Sequence, residues 1–412
     1  MVRQFFTSSQ TCQRILECPL GSHINEYAAL LCRQGYARQF ARRQIGWLAE
    51  FGRWFQQHGL QATDLNSGTA ARYIQFCARR GRLQYGERFV FKQFLTLLRG
   101  QGLLPPERSP QSKNARQQVE EDFEAYLSKE RGLSRATLLQ YVPIVRCFLA
   151  ERFGKRPLRF DQMRVTDITS YVQRHAYDSS PARAKHLVTA LRAFLRYLRH
   201  QGHIATNLAD CVPPVAFWRL STLPKFLTPD QVQQTLDSCD HRTPQGRRNY
   251  AILLLLSRLG LRACEVVALT LEDIRWDTGE ITVRGKVGRS TRLPLPRDVG
   301  QALANYLQKD RPSCPSRRVF VRSRAPREGF ANSKAISTIV HRALKQGGVT
   351  SVSGGAHLFR HTLATQMLRR GASLTEIAEL LRHRGINTTA IYAKVDMEAL
   401  RALAQPWAGG VR

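Results

Sequence analysis

Through roughly the first two hundred residues, apolar side chains recur at three- and four-residue spacing with polar side chains between them. That is the 3.6-residue period of amphipathic helices. The pattern occurs twice. Glu26-Tyr27 through Gly35 resembles Glu124-Ala125-Tyr126 through Gly132, and Ile45, Leu48 and Phe51 fall on Val142, Val145 and Phe148 at a constant offset. Further on, Arg72-Tyr73-Ile74-Gln75 matches Ser170-Tyr171-Val172-Gln173. Finally Phe94-Leu95, Leu98-Arg99 and Gln101-Gly102 match Phe194-Leu195, Leu198-Arg199 and Gln201-Gly202. Landmarks shared in one order predict a duplicated unit of about four short helices. Pro143 interrupts the second copy where the period wants helix, so a kink or an early helix end is expected there.

Beyond residue 225 the pattern changes. Thr228-Pro229-Asp230 is a helix start, with Thr228 as N-cap and Pro229 in the first turn. An apolar helix follows from Tyr250 to Leu259, a turn at Gly260, and a helix from about Ala263 to Leu269. Residues 280–284 and 291–295 alternate with period two around Gly285-Lys286-Val287-Gly288, which predicts a hairpin with Lys286 at its tip. Helices return at Ser333 to Gln346, Leu358 to Arg370, Leu374 to Leu381, and again after Asp396. Pro-rich polar stretches mark linkers at 105–115 and 211–225, which leaves modules at 1–104, 116–210 and 226–412.

Charge changes the picture more than composition does. Lys and Arg number 63 against 31 Asp and Glu, a formal net charge of +32. Such an excess repels itself unless a polyanion relieves it, which points to nucleic acid. Arg135, Arg183, Lys185 and Arg192 lie on the polar faces of the second repeat, as Arg38, Arg42, Arg43, Arg79 and Arg80 do in the first, and the set reads as a clamp for a duplex backbone. None of the nine cysteines forms a CxxC pair. Positions such as Cys77, Cys147 and Cys264 fall among apolar residues and read as reduced core thiols. No apolar run approaches the length of a membrane span and the first residues lack a signal core, so the expectation is a soluble intracellular protein.

Four motifs carry the chemistry. They are Gly260-Leu261-Arg262-Ala263-Cys264-Glu265, Gly285-Lys286, His357-Leu358-Phe359-Arg360-His361, and Leu381-Arg382-His383 with Tyr392 nine residues beyond the His. Their order and spacing resemble the catalytic domain of the tyrosine recombinase, or phage integrase, family, which includes the Xer-type resolvases. The likeness spans residues 225–405, and the second repeat resembles that family's core-binding domain. The implied fold is mainly α with a small antiparallel β-sheet in the catalytic domain, preceded by two helical SAM-like modules.

The implied roles suit the residue types. Phosphodiester cleavage needs a nucleophile, neutralisation of the non-bridging oxygens and a proton for the leaving oxygen. The resemblance makes Tyr392 the nucleophile, Arg262 and Arg360 the phosphate ligands, and His357 the base. It makes His383 a donor to the phosphate and Lys286 the acid for the 5′ oxygen. Glu265, one helical turn from Arg262, orients local groups. His357 and His361 stand four apart, but no Glu occupies the HExxH position; no metal and no cofactor is expected, and His361 is assigned to capping or packing. One departure stands out: the family usually has Gly before the second His, where this chain has Arg382, which is expected to alter the turn or add a phosphate contact.

The resemblance implies site-specific recombination through a 3′-phosphotyrosyl link. The expected partner is a double-stranded recombination site bound by a homo-tetramer, alone or with a related partner recombinase. The expected setting is the bacterial cytoplasm and its nucleoid, in the service of a mobile element. Residues 397–403 have apolar spacing for a helix that docks on a neighbouring protomer. Two other readings stay open on the residues alone: an architectural DNA-binding protein without catalysis, and a nicking-closing enzyme like type IB topoisomerases. The first repeat is a second core-binding module, an arm-type DNA reader, or a surface for a partner recombinase.

Overall fold

The computed structural model describes residues 1–105, 114–154, 156–216, 224–285, 290–350, 355–383, 385 and 388–395. Contacts group the chain into two compact units, one of residues 106–221 and one of residues 1–105 with 222–412.

The unit of residues 106–221 contains α7 (Ala115–Ala125) with a π-helical turn at Tyr126–Glu130, α8 (Arg135–Phe153), α9 (Val165–Tyr177) and α10 (Pro181–His200). Residues 1–105 contain α1 (Val2–Phe5), α2 (Ser9–Glu17), α3 (Gly21–Arg33), α4 (Arg38–Gln57), α5 (Ser67–Arg79) and α6 (Glu87–Gly100). Taken separately, the two follow one plan. A 3₁₀ turn precedes α5 at Ala62–Asp64 and another precedes α9 at Phe160–Gln162. Phe51 meets Tyr73 with ring centroids 4.9 Å apart, and Phe148 meets Tyr171 at 5.1 Å. Such aromatic pairs contribute about 0.5–1.5 kcal/mol beyond the area they bury. Gly35 and Gly132 both take positive φ, at 71° and 59°, where the chain turns into α4 and α8.

The two turns differ in what surrounds them. Beside Gly132 an added Cβ would meet open space, whereas at Gly35 it would lie 2.5 Å from Arg327 Cδ. The Arg327 amide donates to the Gln34 carbonyl at 2.9 Å, so the glycine lets the first repeat approach the 319–330 segment of the same unit.

From residue 224 the chain forms α11 (Pro229–Asp237), α12 (Pro244–Arg258), α13 (Ala263–Ala268), β1 (Ile274–Arg275), β2 (Glu280–Arg284), β3 (Ser290–Pro294), α14 (Arg297–Lys309), α15 (Lys334–Gln346), α16 (His357–Arg369) and α17 (Leu374–Leu380). The strands pair antiparallel in the order β1-β2-β3, with Ile281 opposite Leu293. Ile281, Val283 and Leu293 point into the core, as a period of two requires. Ala251 through Leu256 are buried on every side, which makes α12 the central helix. Among the described residues no helix is long and apolar enough to cross a membrane.

Several expectations change here. α8 runs through Pro143 instead of ending there. The carbonyl that loses its donor belongs to Leu139, an exposed residue, so water can replace the missing bond. Cys77 is buried, but Cys147 and Cys264 are exposed, because each lies on the outer face of its helix beside inward-facing neighbours. All nine cysteines are free. β1 and α14 were not anticipated. The hairpin tip with Lys286 and the expected helix after Asp396 lie outside the described residues.

Candidate active site

The site is built around one turn. α12 ends at Arg258 with Leu259 as its C-cap, and Gly260 takes φ 57°. A Cβ there would lie 2.7 Å from Leu381 Cδ2 and 3.0 Å from Leu363 Cδ2, so the backbone approaches these side chains as only glycine permits. The Gly260 carbonyl accepts from Arg360 Nη1 at 2.6 Å, and the Leu381 carbonyl accepts from Arg360 Nη2. Arg262, the N-cap of α13, donates from Nη1 to Glu265 Oε1 at 2.7 Å and from Nη2 to the Arg382 carbonyl at 3.3 Å. The two arginines therefore converge on consecutive carbonyls of residues 381 and 382, although 100 residues separate Gly260 from Arg360.

Burial sets the charge balance. Arg360 is 4% exposed; desolvation first, then the neighbouring Arg262 and Arg382 guanidiniums, bring its pKa down to about 9. It stays cationic at neutral pH in a pocket where positive charge exceeds negative. Burial works to raise the Glu265 carboxyl, but Arg382 and Arg262 outweigh it and hold the group below its ordinary range. An anion entering this pocket would meet guanidiniums already oriented by carbonyls and a carboxylate.

Tyr392 lies in a 3₁₀ turn, Ala390–Val395, and is 2% exposed within a small cluster with Ala364, Ile377 and Leu381. Its hydroxyl is 2.9 Å from Nδ1 of His361. Desolvation raises its pKa, while the Arg360 and Arg262 guanidiniums pull the other way. The His383 ring lies nearly parallel to the Tyr392 ring, 7° between planes with centroids 6.4 Å apart, and its Nδ1 shares a 2.7 Å hydrogen bond with Thr389 Oγ1. That bond leaves Nε2 of His383 available. Thr389 is fully buried, so it fixes the ring from behind.

The structure thus brings together Arg262, Glu265, Arg360, His383 and Tyr392. His357 opens α16, an exposed residue whose pKa is lowered by desolvation and then by Arg360 and Arg262. His361 does not cap a helix: it stands one turn into α16 and meets the tyrosine hydroxyl. Its contact, the Thr389 support and the Arg382 side chain were missed by sequence reasoning. The four-residue spacing of His357 and His361 placed both on one helix face, which was the available sign. Among the described residues no group of His, Cys, Asp and Glu is arranged to hold a metal ion.

In the second repeat, Arg135 opens α8, and Arg183 and Lys185 stand exposed in the first turns of α10. Arg192 is partly buried and donates from Nη2 to the Val212 carbonyl at 2.8 Å, so it fastens the segment that follows α10.

The histidines yield a pH prediction. Burial first, then neighbouring cations, lower His361 and His383 from 6.5 to about 4. An unfolded chain takes up these protons near 6.5 and the folded chain only near 4, so their contribution is intact above pH 6.5 and lost as pH falls toward 4. The slope is at most about 1.4 kcal/mol per pH unit for each imidazole. Thermal melts across that range should show the decline, flattened in His361→Gln. An identical slope in that variant would remove His361 as a source.

Residues 225–399 match the model of the Phage integrase family, and residues 121–202 match that of the Phage integrase, N-terminal SAM-like domain. The chain is 43% identical over 409 residues to the putative integrase/recombinase y4rA of Sinorhizobium fredii (strain NBRC 101917 / NGR234), covering 99% of each. It is 31% identical over 286 residues to the tyrosine recombinase XerD of Listeria innocua, covering 67% of this chain and 93% of that one. XerH site-specific recombinase, solved bound to a palindromic difH substrate in a post-cleavage complex, shares the fold with a TM-score of 0.57 and 19% identity, over 70% of this chain and 84% of that one. The chain belongs to the phage integrase family of tyrosine recombinases. It is a site-specific recombinase acting on DNA, of a family that cuts and rejoins strands without metal or ATP.

Proposed function

We propose that Tyr392 attacks the scissile phosphate, forms a 3′-phosphotyrosyl link and releases a 5′-hydroxyl. Arg262 and Arg360 bind the non-bridging oxygens, which fits guanidiniums that stay charged and present paired donors. His383 donates from its free nitrogen to a phosphate oxygen, and Lys286 protonates the leaving 5′ oxygen. The phenol is protonated at neutral pH and needs a base as it attacks. The resemblance assigns that task to His357, and the 2.9 Å contact brings His361 forward for the same proton. With its pKa lowered to about 4, His361 is neutral at pH 7 and its Nδ1 can accept the hydrogen bond that aims the hydroxyl, although so weak a base takes the proton only as attack develops. The observation that carries the reading is the convergence of two buried-facing arginines and a buried tyrosine on the turn at 381–383.

The wider reading follows from the family. Four protomers synapse two duplexes, with residues 397–403 docking on a neighbour and the protein acting on the bacterial nucleoid for a mobile element. Residues 116–210 grip the core of the site, with Arg135, Arg183 and Lys185 toward the phosphates, and residues 1–104 form a related module beside the catalytic domain of 226–412. A duplex nicked next to the cleavage position is the direct test. After cleavage the short fragment diffuses away, and the protein should remain covalently attached to the 3′ end. A chain that binds the site and never becomes attached would defeat the proposal.

A further inference from the structure

Arg382 is the described non-glycine residue with a left-handed backbone, φ 55°. An L-residue held there costs about 1–2 kcal/mol, so something must hold it. Its side chain turns inward, is 10% exposed, and donates from Nη2 to Glu265 Oε2 at 2.9 Å and from Nη1 to the Leu380 carbonyl at 3.1 Å. The same peptide segment supplies the carbonyls that hold the two phosphate-binding candidates, Leu381 for Arg360 and Arg382 for Arg262. Glu265 closes the ring. Its Oε1 accepts from Arg262 Nη1, and its Oε2 accepts from both the Arg262 amide at 2.8 Å and the Arg382 guanidinium. The side chain of Arg382 is therefore tied to the carboxylate that orients Arg262, and its main chain is tied to Arg262 directly.

We propose that Arg382 is a positioning residue for strand cleavage. Its ion pair with Glu265 clamps the turn at 381–383, and the clamp sets Arg262, Arg360 and His383 in register for one phosphate. The inference rests on the reading that the chain cleaves DNA through Tyr392. Both Nη atoms of Arg382 are engaged, by Glu265 and by the Leu380 carbonyl, and the salt dependence of binding separates this clamp from a direct phosphate contact. Glycine at 382 would suit the backbone and remove the clamp, alanine would keep the strain and remove the clamp, and lysine would keep the strain and the charge.

The test uses the full chain on the nicked duplex under single-turnover conditions, with duplex affinity measured across salt. Misplacement of catalytic groups by about 1 Å costs on the order of 100-fold. Arg382→Gly should slow adduct formation by about 10- to 100-fold, with affinity and its salt dependence unchanged. Arg382→Ala should be at least as slow, and Arg382→Lys should recover part of the rate. Combining Arg382→Gly with Glu265→Gln should be no slower than the slower single variant, since both break one clamp. Cleavage by Arg382→Gly at the wild-type rate would overturn the proposal, as would a loss of affinity with a salt slope reduced by about one, the mark of a phosphate contact. If the wild-type chain itself forms no adduct, the cleavage reading fails and melting decides the clamp. Less-than-additive shifts for the two variants keep it, and additive shifts discard it.

Discussion

Tyr392→Phe should bind its duplex as the wild-type chain does and form no covalent adduct with it. The substitution removes one oxygen from a side chain that is 2% exposed and packed against Ala364, Ile377 and Leu381, so the ring keeps its place. What it loses is the hydroxyl at 2.9 Å from His361, one neutral hydrogen bond, about 1 kcal/mol of stability. The expected chemical loss is of another order, since the phenol oxygen is the proposed attacking atom and nothing in the variant replaces it. Denaturing gels of the nicked-duplex reaction measure it directly, and gel shifts of the same samples report binding. Adduct formation by Tyr392→Phe above background would place the nucleophile elsewhere. The companion His361→Ala bears on the proton. If His361 takes it in this arrangement, the variant slows attack and leaves binding intact.

How much of this was legible in the sequence depends on how local each interaction is. The cap Thr228 was legible because a helix start is written in adjacent residues; its hydroxyl accepts from the Gln231 amide at 3.2 Å. The hairpin was legible because alternation at 280–284 and 291–295 fixes which side chains face the core. The landmarks that suggested a duplication include rings that pair alike in the two helical segments, Phe51 with Tyr73 and Phe148 with Tyr171. α14 was not read, because Pro294 and Pro296 suggest a turn and Gly300 interrupts the apolar run. β1 is two residues long, too short for a period of two to appear. The motif order singled out Arg262, Arg360, His383 and Tyr392 as candidates, and the structure places them near one another, yet periodicity assigns faces and not partners. The pairing of Arg382 with Glu265 spans 117 positions, and that of His361 with Tyr392 spans 31 across a helix and two turns. Such contacts come from tertiary packing, so an Arg where glycine is usual read as altering the turn or adding a phosphate contact, not as half of an ion pair.

Arg360→Lys should lose about 100- to 1,000-fold in cleavage, the scale of removing a preoriented donor from a developing oxyanion. Lysine retains the charge, so a result in that range isolates geometry from electrostatics. In the wild-type chain the Arg360 fork is aimed by two carbonyls, Gly260 and Leu381, and the group is 4% exposed. A single ammonium cannot satisfy both carbonyls and still face a phosphate, and an acceptor left unsatisfied in so buried a place costs about 1–3 kcal/mol. Melting should therefore fall by that amount while binding, supported by many other cations of a chain with net charge +32, changes little. An Arg360→Lys rate within tenfold of wild type would mean that charge alone suffices, and that the carbonyl pair serves the fold and not the phosphate.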